Sequence, residues 1–145
     1  MSEDAAETKV KEDIKEFFAI RSIEEAEAYW TALPAPHHHR LVDKLVSQAV
    51  ESKEADAQLV ADLFKAAVSK ELCSHDAFEK GFVNIANVVE DIAIDAPKAV
   101  TFFGLIVKAV DFNEERRRRL ADKASEGHED EGKEEYAERI LEAIS

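Results

Sequence analysis

The chain is poor in every residue that builds cross-links or breaks helices, with one cysteine, three prolines and four glycines in 145 residues. A lone Cys73 cannot close an internal disulfide, which suits a reducing compartment, cytosol or nucleus. Basic residues are also in deficit, 19 Lys and Arg against 32 Asp and Glu, for a net charge of −13. General nucleic-acid binding needs clustered cations to neutralise phosphates, so that class is excluded, and an acidic face calls for a basic partner. The longest apolar run, Ala99 to Val107, is well short of the roughly 18 residues of a membrane span, and the acidic start MSEDAAETKVKED lacks the apolar core of a signal peptide. No targeting or membrane segment is expected. A Gly-rich phosphate loop, a nucleophile elbow and a His-Glu-x-x-His zinc helix are all missing, so the sequence does not read as an enzyme. Cys73 and His75, two residues apart, would point away from each other on a helix.

Apolar residues make up 46 % of the chain and recur at spacings of three and four almost throughout. That period predicts an all-α fold without strands, and the length predicts one domain with a core of its own. Val10, Ile14, Phe17 and Phe18 mark a first helix. Ser22 with Glu25 forms a capping box before a second, carrying Ile23, Ala26, Trp30 and Leu33, which Pro34 and Pro36 end. The third and fourth helices bury Leu41, Val42, Leu45, Val46, Ala49 and Val50, then Leu59, Val60, Leu63, Phe64, Ala67 and Val68. These two patterns superimpose in register, as in stacked helical hairpins. Ser74 caps a fifth helix with Phe78, Phe82, Ile85, Val89 and Ile92 inward, and Pro97 opens a sixth that is apolar nearly all round and runs to about Phe112.

After Asn113 the chain turns highly charged. The expected organisation is a disordered acidic N-terminus over 1–8, a folded helical domain over 9–112, and a charged helical extension over 113–145 with a flexible acidic linker at 126–135. Tyr136, Ile140, Leu141 and Ile144 still share one helical face, which leaves the last segment free to dock or to stay separate.

On the fifth helix the 3.6-residue period puts Lys80, Asn84, Asn87, Asp91 and Asp95 on the outward stripe. By local pattern alone, Asp91 belongs to a solvated face, and Asp95 is placed to cap or complement the positive end of the next helix. The run FEKGFVNIANVVEDIAIDAPKAVTFFGLIVKAV, Phe78 to Val110, however resembles the signature of the MI domain, also called the MA-3 type, known from scaffold and inhibitor proteins of translation initiation. The shared features are a Gly-Phe step and a later Asp-hydrophobic-Ala-hydrophobic-Asp-x-Pro corner. PAPHHHRLVDKLVSQAVES resembles the family's His-rich helix start, and Ile14 to Leu33 its opening hairpin.

The resemblance implies a HEAT-like α-solenoid of stacked antiparallel hairpins, about six core helices plus the extension. It also implies a non-catalytic module, monomeric and without cofactor or metal, that docks the DEAD-box RNA helicase of translation initiation through the positions matching Asp91 and Asp95. Two carboxylates one turn apart are apt for a helicase core lined with Arg and Lys. The alternatives are the same fold with another basic partner, inhibition rather than scaffolding of the helicase, and a metal protein or enzyme built on His37, His38 and His39. Three contiguous histidines point about 100° apart on a helix and cannot share one ion, so one packed and two wet is the plain reading. Arg116 to Arg119 are accounted for by ion pairs within their own helix or with Glu129, Asp130 and Glu131, the alternative being an RNA or acidic-tail contact, because four guanidiniums exceed what the nearby acids balance. Gly81, inside a helix, predicts close approach of a neighbouring helix.

Overall fold

The computed structural model describes all 145 residues, in eight α-helices and no strand. These are α1 (Glu3–Ile20), α2 (Ile23–Ala32), α3 (His38–Val50), α4 (Glu54–Ser69), α5 (His75–Asp95), α6 (Ala99–Lys108), α7 (Glu114–Ser125) and α8 (Asp130–Ile144). Consecutive helices pair as hairpins, and each hairpin stacks on the next: α1, α3, α5 and α7 line one layer, and α2, α4, α6 and α8 the other. This is a helical-repeat solenoid of four hairpins. A single core of 40 buried apolar residues runs its length, with Trp30, Phe64, Phe78, Phe82 and Phe103 meeting edge to face, tilted or, for Phe78 and Phe82, stacked along its middle.

The local signals act where the sequence puts them. Ser22, Ser74 and Asn113 accept the amides of Glu25, Ala77 and Arg116, each satisfying a donor that the first helical turn leaves orphaned. Gly81 lies where α5 crosses α3; a Cβ there would fall 2.5 Å from Val42 Cβ and 2.8 Å from the His39 carbonyl oxygen. α6 is shorter than the helix expected from Pro97 to about Phe112. It starts at Ala99 and ends at Lys108, because Ala109 and Val110 turn back on Ile106 and Val107 and Asp111 takes φ 56°.

Both ends differ from the sequence expectation. Residues 1–8, expected to be disordered, begin α1: Ser2 accepts the Ala5 amide, Glu3 and Asp4 sit in the first turn where carboxylates favour the helix dipole, and Ala6 is fully buried. The fold also does not close near residue 112. Leu120, Ala121, Ala124, Tyr136, Ala137, Ile140 and Ile144 are buried in the same core, so α7 and α8 form its fourth hairpin. The acidic linker expected at 126–135 reduces to the turn Glu126–Glu129, with Gly127 at φ 90°, and helix resumes at Asp130. Its acids occupy the first turns of α8 and reach water, while the stripe from Tyr136 onward supplies the anchor.

Candidate functional site

Helix α5 runs 21 residues and presents one face to the core and the other to water. Phe78, Phe82, Ile85 and Val89 are buried; Lys80, Asn84, Asp91 and Asp95 are exposed, and Asn87 is half-buried, as the period predicts. The helix ends at Asp95, where the Ala96 amide still bonds the Ile92 carbonyl, and Pro97 turns the chain into α6. Asp95 does not cap that helix. Lys98 occupies the N-cap without a side-chain bond, and α6 begins four residues beyond Asp95. The Asp95 carboxylate instead stands on the rim of a hollow of about 540 Å³ between the α3–α4 and α5–α6 corners, floored by Val50 and Phe102 and edged by Lys53 and Lys98.

The five acids of α5 fall into two groups. Asp76, Glu79 and Glu90 are paired with arginines of the fourth hairpin. Arg116 Nη1 donates to Asp76 at 2.8 Å and to Glu79 at 3.2 Å, Arg119 forks onto Glu79 at 2.6 and 2.8 Å, and Arg139 forks onto Glu90 at 2.5 and 2.9 Å. Lys123 adds a third cation 3.6 Å from Glu79. Hydrogen bonds from Arg119 hold the Glu79 carboxyl below its ordinary range despite its burial. Asp91 and Asp95 have no hydrogen bond and no ion pair. They are the two carboxylates of this helix that no cation of the chain neutralises.

These pairs also correct the reading of the Arg116–Arg119 cluster. Arg118 and Arg119 do make intrahelical pairs, with Asp122 and Glu115, but Arg116 and Arg119 chiefly bind α7 to α5, Arg117 donates to the Phe112 carbonyl, and Arg118 reaches Glu138 of α8. The sequence places Tyr136 on the apolar face of the last helix but gives no signal for its hydroxyl or for Arg139, whose partners lie on α5. The Tyr136 hydroxyl donates to the Ala86 carbonyl at 2.5 Å and its ring stacks on His128, whose Nε2 approaches the Asn87 carbonyl at 3.3 Å. Burial, then the charge of Glu90, raises the Tyr136 phenol to about 12. The last turns of α5 ahead of Asp91 are therefore braced from behind by α8.

Of the three contiguous histidines, His38 is the packed one. His38 is 8 % exposed and lies edge-on to Trp30, and its Nε2 sits 2.7 Å from both the Trp30 and Leu33 carbonyls that end α2. His37 bridges the Met1 carbonyl and Arg40, and His39 borders a separate polar hollow beside Lys80. Nowhere do three His, Cys, Asp or Glu side chains group so as to hold a metal ion. Cys73 is buried and its thiol is pushed up to about 12 by desolvation. No helix is long and apolar enough to cross a membrane.

The MA3 domain family's sequence model matches residues 6–111, which include Asp91 and Asp95 and stop short of α7 and α8. MA3 domain-containing translation regulatory factor 3 of Arabidopsis thaliana is 40 % identical over 74 residues, half of this chain and 10 % of that protein. Human programmed cell death protein 4 is 31 % identical over 86 residues, 58 % of this chain and 18 % of that protein. MA3 domain-containing translation regulatory factor 1 of Arabidopsis thaliana is 34 % identical over 70 residues, 48 % of this chain and 10 % of that protein. The matched segment thus spans a fifth or less of each of these relatives.

Proposed function

The chain belongs to the MA3 domain family, and on that premise we propose that it is a non-catalytic protein-binding module of translation, acting in the cytoplasm, whose α5–α6 corner docks a DEAD-box RNA helicase of the initiation factor 4A type. The names of the plant relatives support the setting in translation. The observation that carries the partner is electrostatic: three of the five α5 carboxylates are neutralised from within, and Asp91 and Asp95, one turn apart at the end of the helix, are not. A helicase core presents arginines and lysines for RNA and nucleotide phosphates. Two free carboxylates on a rigid, braced helix end can take such cations through charge-assisted bonds, with little ordering entropy lost on the side of this chain.

Calorimetric titration of the chain against the purified helicase tests this, with Asp91→Ala/Asp95→Ala in parallel. The wild type binds, and the double variant, whose melt is unchanged because both side chains are free, loses about 2 kcal/mol or more. A wild type that does not bind the helicase overturns the reading and leaves the fold assignment intact.

A further inference from the structure

Ile94 is 78 % exposed, more than any other large apolar side chain of the chain, and Val88, at 41 %, stands two turns earlier on the same helix. Their neighbours Ile92 and Ala93 pack against the core, whereas neither Ile94 nor Val88 does. At about 100° per residue, Ile94 lies about 60° to one side of Asp91 and Val88 about 60° to the other, with Asp95 between Asp91 and Val88. The two unpaired carboxylates are therefore framed by two aliphatic side chains that nothing in the molecule covers. A β-branched residue at a wet helical position contributes nothing to packing and is a poorer helix former than Ala, Glu or Lys, so the fold gains nothing from Ile94.

We propose that Ile94 is the apolar anchor of the docking face, the side chain over which the partner closes an apolar dimple while its cations take Asp91 and Asp95. This rests on the helicase reading of the same face and names the second half of its chemistry. Exposed carboxylates alone bind weakly, because water and salt screen them. Seating Ile94 removes water from beside both carboxylates, lowers the local dielectric and strengthens the bonds the partner makes to them, as apolar contacts do around buried charged pairs at protein interfaces. Val88 closes the opposite flank. The partner surface that fits is a ring of Arg or Lys around an apolar depression, rather than a uniformly basic one.

The test adds Ile94→Gln to the titration against the purified helicase, at about 0.1 M and about 0.5 M salt. Gln keeps the length and is the better helix former, and because Ile94 is 78 % exposed the variant melts with or slightly above the wild type. The expected result is a rise in Kd of about tenfold or more, on the scale of burying one aliphatic side chain, with most of that factor kept at high salt because apolar burial is not screened. The deficit of Asp91→Ala/Asp95→Ala, by contrast, shrinks at high salt. An Ile94→Gln variant within about twofold of wild type, or one whose deficit vanishes at high salt, overturns the anchor while the carboxylate reading stands. A wild type that does not bind overturns both.

Discussion

Glu79 of α5 and Arg119 of α7 meet fork to fork, Nε on Oε2 at 2.6 Å and Nη2 on Oε1 at 2.8 Å, with Glu79 as a residue only 5 % exposed. Arg116 and Lys123 complete a cage of three cations around one acid. Charge that would repel within α7 is thereby converted into the seam between the third and fourth hairpins.

That seam has a pH signature. Hydrogen bonding to Arg119 first, then its charge and those of Lys123 and Arg116, hold the Glu79 carboxyl below its ordinary value of 4.5 against the opposing effect of burial. A carboxyl depressed on folding stabilises the native state above its unfolded pKa, and that contribution is lost as pH falls through the folded one. Glu79→Gln should therefore lower stability by about 2 kcal/mol at neutral pH, less than a fully buried pair because the cations reach water. Urea melts of both proteins across pH 7 to 3 should show the gap narrowing below the ordinary Glu range; a gap that stays constant contradicts the account.

The glycines divide into two kinds. At Gly104 an added Cβ would collide with the Ala143 carbonyl oxygen, where α6 meets α8, whereas at Gly132 it would meet nothing within 4 Å. Gly104→Ala should destabilise by about 1–3 kcal/mol through overpacking. Gly132→Ala, in the first turn of α8, should be neutral or stabilise by up to about 1 kcal/mol. Paired thermal melts separate the two.

The fourth hairpin lies beyond the residues the family model matches, yet it buries seven core side chains, supplies Arg119 to Glu79 and braces α5 through Tyr136 and Arg139. A chain cut to residues 1–111 should lose on the order of 5 kcal/mol, a large share of an ordinary domain's stability, and bind a hydrophobic dye. Dichroism melts and dye fluorescence check this. A truncated chain that melts cooperatively with the full one would show α7 and α8 to be dispensable to the fold.

Cys73, buried and with its thiol raised to about 12, should be inert to a disulfide-exchange reagent at pH 8 in the native protein and react promptly once urea unfolds it. The absorbance of the released thiol reads the difference directly. Prompt labelling without denaturant would mean that the α4–α5 corner opens readily.

Local and periodic features were determined by the sequence alone. The spacing of Phe78, Phe82, Ile85 and Val89 dictates which face of α5 is buried, Ser22, Ser74 and Asn113 place helix starts, and Gly81 announces a close crossing, because each acts within one or two turns of its own position. The outward position of Asp91 and Asp95 follows from the same period. Their freedom was decided only by the tertiary structure. Whether an acid is free or neutralised depends on cations 37 to 49 residues away, Arg116 and Arg119 for Asp76 and Glu79 and Arg139 for Glu90, and no local pattern encodes that pairing. The membership of α7 and α8 in the core was hidden for the same reason. A segment as charged as Glu114–Ser125 reads as solvent-facing until the face that Leu120, Ala121 and Ala124 fill is known to be open, and that opening exists only once α5 and α6 have packed.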